Sequence, residues 1–402
     1  MLTVYRIAYF LLKYLICILK PFLSNDLKKW IDLRNKKINT TLSNHKKIMF
    51  HAASGEIEYI KSVIREFKNR HPDVEIILTY SSPSAEKLFT NLQSEVTAFI
   101  PLPWDTPTRI QNLLMQLKPE LIVFSRTDFW PELIYQAHKK NIPLIGVSMY
   151  PRFGFFQNIW LKFILKKFSL LTAVSEATCK QLESLLPNKN MTYLPDTRFD
   201  QVIHRLNSQS KIELITNKKV VVFGSTWPED ERILVECVDQ ILKNNFRIVW
   251  CPHDVSKSRI EALTEQLKKY SVSKFSDGTT TINFETDVLI LDQIGFLADA
   301  YRFSQISFVG GSFKTKVHSV MEPLCAGNTV IVGPYYKNNP EAVQFLEKKY
   351  VYTVSNSTEF LSVFENIQKG NQASEIKNTM IRISGSSEKM AILISEYLSK
   401  IT

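Results

Sequence analysis

The chain has 402 residues, long enough for two domains of ordinary size, and its hydrophobic content of 45% supports full cores and excludes wholesale disorder. Lys+Arg 50 against Asp+Glu 39 leave a formal charge of +11, which suits an anionic partner: membrane lipid, nucleotide, phosphorylated substrate or nucleic acid. Five cysteines, at positions 17, 179, 237, 251 and 325, form no CxxC pair, which argues against a disulfide framework or a zinc ribbon and fits a reducing compartment.

Residues 1–23 are mostly Leu, Ile, Tyr and Phe, and their side-chain charges are Arg6, Lys13 and Lys20, seven residues apart. A step of seven is nearly two turns, so the three cations form one stripe on a helix. Such a helix, apolar elsewhere, lies in the headgroup plane as a membrane anchor. A spanning helix would hold Lys13 near the bilayer centre at a cost of about 2.5–3.5 kcal/mol. Pro21 ends the helix, and Lys28, Lys29, Arg34, Lys36 and Lys37 follow, a basic flank suited to the anionic cytoplasmic leaflet. The rivals are a single span with that flank inside and a secretory signal; the signal reading lacks a compact basic start and a small-residue cleavage site. These features make an anionic membrane surface the expected partner, with no nucleic acid.

From residue 46 short apolar runs alternate with helical patterns. Strands are predicted at 47–51, 74–80, 96–100, 121–125, 144–148, 170–174 and 191–194, with helices near 57–69, 83–91, 107–117, 131–140, 156–167 and 176–185. A polar stretch at 207–219 reads as a linker between a domain at 24–206 and another at 220–402. Strands then recur at 220–224, 246–250, 288–291, 306–309, 329–332 and 350–354, with helices centred near 235, 262, 298, 321 and 345 and one or two more over 375–400. Strict alternation predicts α/β architecture: two Rossmann-like, doubly wound domains, each with a parallel sheet covered on both faces, facing a central cleft at the strand carboxyl ends. No GxGxxG follows the first strand and no GxxxxGK[ST] occurs, so a dinucleotide oxidoreductase or P-loop NTPase has little support.

Candidate site residues follow the strands. His51-Ala-Ala-Ser54-Gly55-Glu56 places a carboxylate beside a glycine turn; Glu56 is either a general base or a first-turn residue favouring the helix dipole. In Arg126-Thr-Asp128-Phe-Trp130-Pro131-Glu132, Asp128 either binds sugar hydroxyls or caps the helix begun by Pro131. The helix over 156–167 presents Phe156, Trp160, Phe163 and Lys167 at helical spacing, facing lipid or packed on its sheet. Ser225 and Thr226 either cap the next helix or meet a phosphate, and His253 is a phosphate or base contact or a plain surface histidine. Gly310-Gly311-Ser312 is predicted to turn tightly with bare N–H groups, before a helix from about His318 to Ala326 whose N-terminus attracts phosphate and whose one face carries His318 and Glu322. The pattern suits a nucleotide-sugar donor held with no metal and no cofactor; an ordinary βαβ connection is the alternative. Two ligands from one helix are too few for a metal site without a third nearby.

Taken in order, these segments resemble the 3-deoxy-D-manno-octulosonic acid (Kdo) transferases of lipopolysaccharide synthesis. HAxSxGE is similar to His51–Glu56, LP-x-D to Leu102-Pro103-Trp104-Asp105, ETELWPN to Arg126–Glu132, and G-N-x-K-F-D to Pro195–Asp200 with Arg198 for lysine. The start of A-S-T-H-x-x-E-E resembles Ser225-Thr226, while GGS and HNPLEP resemble Gly310-Gly311-Ser312 and His318 to Pro323. The chain departs from the pattern in a residue missing before Gly55, in Arg126 for a glutamate, in Cys251-Pro252-His253 for Pro-Arg-His, in Lys316-Val317 for Gly-Gly, and in an SxRS segment reduced to Arg152. The resemblance implies a GT-B fold and inverting, metal-independent transfer from CMP-Kdo to lipid A precursor at the inner membrane's cytoplasmic face. It makes Glu56 the general base and sets the donor against Ser312, His318, Glu322 and the helix after Gly311; Ser225, Thr226, His253, Gly310 and Gly311 are the further expected donor contacts, and Ser54, Gly55, Asp128 and Arg152 the expected acceptor contacts. A GT-B transferase with another donor, such as a UDP-hexose, and a non-catalytic paralogue binding lipid A precursors are the alternatives.

Overall fold

The apolar runs of the first half become seven strands of one all-parallel sheet: β1 Lys47–His51, β2 Glu75–Tyr80, β3 Ala98–Pro101, β4 Leu121–Ser125, β5 Leu144–Met149, β6 Leu170–Ala173 and β7 Met191–Tyr193, in the order β3-β2-β1-β4-β5-β6-β7. The structure is a computed structural model that describes residues 1–36, 43–89, 92–277, 280–370 and 372–401; Lys37 of the basic flank and positions 90–91 of the expected helix 83–91 lie outside them. Successive side chains of a strand point to opposite faces. Ile48, Phe50, Ile76, Leu78, Leu121 and Val123 accordingly fill one core layer, and Met49, Ile77, Ile122 and Phe124 the other. Helices cover both layers, which is why these strands are apolar throughout rather than alternating. The order reverses between β1 and β4, so their carboxyl ends open a crevice, the usual ligand position in such sheets.

The second sheet repeats the scheme. Its strands are β9 Lys219–Thr226, β10 Phe246–Pro252, β11 Val272–Lys274, β13 Val288–Ile290, β14 Ser304–Val309, β15 Thr329–Val332 and β16 Val351–Thr353, in the order β11-β13-β10-β9-β14-β15-β16 and all parallel. A separate pair joins β8 Glu213–Ile215 to β12 Thr281–Asn283. Here the order reverses between β9 and β14. The short strands β8, β11 and β12 go beyond the predicted set; with three residues each they are too brief to show a period.

The chain divides into one unit of Met1–Gln201 with Ser384–Thr402 and another of Val202–Ile383. Two expectations about boundaries are therefore corrected. The stretch 207–219 is folded into the second unit, where Ile212 and Leu214 are buried in its core. The tail does not stay with the second unit: the helix Ser386–Ser399 buries Met390, Ala391, Ile394 and Leu398 in the first unit's core beside Val63 and Phe67. Asp200 caps that helix by accepting the Gly385 and Ser387 N–H groups at 2.5 and 2.6 Å, and Arg70 pairs with Glu388 at 2.7 Å. An apolar stripe says that a helix is covered, not which sheet covers it. Ile394 is fully buried, so Ile394→Ala is expected to cost about 2–5 kcal/mol, read as a fall in the first unit's unfolding midpoint. A midpoint within error of the parent would contradict this placement.

The N-terminal helix Leu2–Leu19 forms as expected, but its cationic stripe faces protein. Arg6 makes a bidentate pair with the buried Glu132 at 2.7 and 2.8 Å, Lys13 sits 5.6 Å over the Trp104 ring, and Lys20 pairs with Asp32. The Tyr5 hydroxyl donates to Asp105 at 2.6 Å, and the Tyr9 hydroxyl accepts the Asp105 N–H at 3.1 Å. Burial pushes the Asp105 carboxyl up to about 6, against the hydrogen bonds it accepts. Polar groups thus hold the helix to the first unit, and its outer face is left to Val4, Ile7, Phe10, Leu11, Leu15 and Ile18, all more than half exposed. Leu2–Phe22 is, among the described residues, long and apolar enough to cross a membrane by length and composition. Phe155 and Phe156 are also exposed, on the helix Phe155–Leu165 whose Trp160 lies 6.2 Å from Tyr5.

Candidate functional site

At the β1/β4 crevice the loop after β1 runs into a 3-10 turn, Gly55–Tyr59, which carries Glu56 half-buried. Its Oε2 accepts the Ser54 N–H at 3.2 Å, and its backbone carbonyl accepts the Ser125 hydroxyl at 2.5 Å. The second bond ties the end of β4 to the residue expected to act as base. Ser54 Oγ lies 2.6 Å from Ser84 Oγ, and Gly55 is exposed with open space where a side chain would stand. Asp128 does not cap a helix: its Oδ2 lies 2.7 Å from Nε2 of the buried His51, whose Nδ1 is 2.9 Å from Thr79 Oγ1. The cap of the helix Pro131–Lys139 is Asp105, which accepts the Glu132 and Leu133 N–H groups at 2.9 and 3.0 Å. Arg152 is exposed.

At the β9/β14 crevice, Ser225, His253, His318 and Glu322 line one cavity of about 340 Å³, joined by Arg205 and Tyr301. Three separate segments deliver the four residues, since His318 and Glu322 share one stretch after β14. Ser225, the last residue but one of β9, lies in the left-handed region at φ 54°, which side-chain-bearing residues rarely adopt. His253 follows β10, stacked 4.7 Å from Trp227 and 4.5 Å from His318. The Trp227 indole N–H donates to His318 Nε2 at 3.0 Å, which leaves the ring proton on Nδ1. Burial, then His253 and Lys316, push the His318 imidazole down to about 4. Glu322 accepts from Arg205 at 3.0 Å.

Several expectations for this site are corrected. The helix begins at Met321 rather than His318, so His318 and Glu322 do not share a helical face; Gly327, at φ 90°, ends it after six residues. The N–H groups of the two glycines are not bare. Gly310 donates to the Gly224 carbonyl at 2.8 Å, and Gly311 and Phe313 donate to the Asp230 carboxylate at 2.7 and 3.0 Å. Gly310 is required for a different reason: a Cβ there would stand 2.3 Å from the Ser225 carbonyl oxygen, so the glycine lets β14 close on β9. Ser312 is fully buried, donating to the Val309 carbonyl at 3.0 Å and accepting the Gly333 N–H at 2.7 Å. Thr226 is buried too, donating to Glu231 and accepting from the Trp250 indole, both at 3.0 Å. Neither Ser225 nor Thr226 caps the next helix; Trp227 holds that position and Asp230 accepts its N–H at 2.8 Å. Sequence reasoning missed Trp227, Asp230 and Arg205. The acidic run 229–231 signals a helix start, but nothing local shows that Asp230 reaches across to another loop.

Over residues 31–201 the chain matches the family described as 3-deoxy-D-manno-octulosonic-acid transferase (kdotransferase). It is 27% identical over 393 residues to the 3-deoxy-D-manno-octulosonic acid transferase of Rickettsia bellii (strain RML369-C), covering 92% of each chain. It is 25% identical to the enzyme of the same name from Aquifex aeolicus (strain VF5), over 81% of this chain and 89% of that one. Among solved structures, a UDP-N-acetylglucosamine 2-epimerase superposes with a TM-score of 0.62 at 11% identity, over 89% of this chain and 96% of that one. The calicheamicin glycosyltransferase CalG4 superposes with a TM-score of 0.58 at 11% identity, over 90% of this chain and 100% of that one. At such identities these two report the fold alone. The ordered motifs, the match over residues 31–201 and the alignment along 92% of the chain all support a divergent relative of the 3-deoxy-D-manno-octulosonic acid transferases, and its two parallel sheets share the GT-B fold of CalG4.

Proposed function

We propose that the chain transfers Kdo from CMP-Kdo to a lipid A precursor, lipid IVA, with inversion and without a metal, on the cytoplasmic face of the inner membrane. The supporting observation is the convergence of Ser225, His253, His318 and Glu322 on one cavity at the reversal point of the second sheet. In this reading that cavity holds the donor. The first unit binds the acceptor at the β1/β4 crevice, with Ser54 and Gly55 in the loop that presents Glu56. Glu56 takes the proton from an acceptor hydroxyl as its oxygen bonds to the anomeric carbon. The bond from that carbon to the phosphate oxygen breaks, and CMP leaves with the electron pair. The transition state is oxocarbenium-like, and the neutral His318 offers Nδ1–H to the departing phosphate.

This reading moves the phosphate contact from the glycine loop to side chains, because the N–H groups of Gly310 and Gly311 are taken up by Gly224 and Asp230. It predicts that the protein, titrated calorimetrically, binds CMP more tightly than UDP. His318→Ala is expected to weaken CMP-Kdo binding by about ten- to hundredfold, the size of a hydrogen bond to a charged group. Tighter binding of UDP, or unchanged affinity in the variant, would remove the donor assignment.

A further inference from the structure

Arg126 directly follows β4 at the β1/β4 crevice and has φ 56°, a left-handed conformation rare for a residue with a side chain. Its N–H donates to the Val147 carbonyl at 2.8 Å, which fixes the turn. The guanidinium lies 4.6 Å from the centre of the Tyr59 ring and 5.2 Å from that of Tyr150, and it donates to the Tyr59 hydroxyl. Two aromatic rings therefore hold it in one place, and Tyr150 is exposed, so that place is open to solvent. Two other arginines of this unit have partners: Arg198, over the same Tyr59 ring, pairs with Asp196 at 2.9 Å, and Arg34 donates to the Leu102, Pro103 and Ser81 carbonyls. Among the described residues no carboxylate pairs with Arg126. A half-buried, immobilised guanidinium without an anion is an incomplete pair, and its planar fork matches the two oxygens of a phosphate or a carboxylate.

Its position gives the pair a purpose. Ser125, the residue before it, donates to the Glu56 carbonyl at 2.5 Å, so one short segment sets both the guanidinium and the loop of the expected base. We propose that Arg126 binds an anionic group of the acceptor, a phosphate or a carboxylate, and thereby sets the acceptor hydroxyl against Glu56. This rests on the first unit being the acceptor side. The segment that Arg126 begins resembles one beginning with glutamate in the family, so the charge at this point is reversed in this chain.

The direct test does not need turnover. The Arg126 Nε–H resonance, identified by its loss in Arg126→Lys, is followed while the protein is titrated with glucosamine 6-phosphate, glucuronate or neutral N-acetylglucosamine. A saturable shift with the phosphate or the carboxylate but not the neutral sugar is expected, and the anion that saturates first names the group. No shift with either anion would overturn the proposal, whatever the fate of the transfer reaction. In the transfer assay, Arg126→Gln is expected to raise KM for phosphorylated lipid A precursor by about ten- to hundredfold with kcat little changed. An acceptor analogue stripped of its phosphates is then used almost equally by both proteins if the group is phosphate. A fall in kcat with KM unchanged would show a structural role and count against the proposal.

Discussion

Glu56→Gln is expected to fold and to bind both ligands while losing about 10²–10⁴ in transfer rate, the usual scale for removing a general base. Glu56 is held mainly through its backbone: Ser125 donates to its carbonyl, a bond that the amide side chain leaves untouched. Among the described residues its side chain makes one bond, from the Ser54 N–H to Oε2 at 3.2 Å, and that is equally available to a glutamine oxygen. What disappears is the capacity to take a proton. Single-turnover transfer, with unfolding midpoints measured alongside, separates the two effects. A rate within a few-fold of the parent would remove Glu56 from the role.

The second large effect concerns membrane attachment. With Arg6, Lys13 and Lys20 engaged by Glu132, Trp104 and Asp32, the surface that the N-terminal helix leaves open to a membrane is its apolar side. Replacing Ile7, Leu11 and Ile18 by Ser removes three exposed side chains that a bilayer would bury, together about 4 kcal/mol and so on the order of a thousandfold in partition. Vesicle flotation should lose most of the variant. Replacing the three cations by Gln is expected to act differently, by loosening the helix from the first unit, since Glu132 is fully buried and would lose its partner. If flotation instead depended on the cations and ignored the three apolar residues, the helix would be presenting its stripe to the headgroups.

The residues show clearly where a sheet strand lies and poorly where a polar group finds its partner. Runs such as Ile48–Phe50 and Val220–Phe223 are apolar over several consecutive positions because both faces of each sheet are covered, and that signal survives in one sequence. The strand ends therefore located Glu56, Ser225, His253 and the Gly310 loop correctly along the chain. Which atom meets which depends on contacts distant in sequence. Asp230 reaches 81 residues on to Gly311, Trp227 reaches 91 residues on to His318, and Ser386–Ser399 returns to a core begun more than three hundred residues earlier. A glycine pair after a strand reads as an anion cradle until a carboxylate from another loop fills it. A heptad of cations on an apolar helix reads as a headgroup stripe until Glu132, itself in a segment with its own helix-start signal, turns out to be the counterion.

In the proposed reaction two reversal points, one carrying Glu56 and one carrying His318 and Glu322, support transfer of Kdo without a metal. Its most direct measurement is transfer from CMP-Kdo to tetraacylated lipid A precursor by the full chain on vesicles after exhaustive chelation, repeated with magnesium, manganese or zinc restored. Formation of the Kdo-bearing lipid at an unchanged rate in all four conditions is the predicted result. No product with CMP-Kdo, or loss on chelation with recovery on one metal, would contradict it.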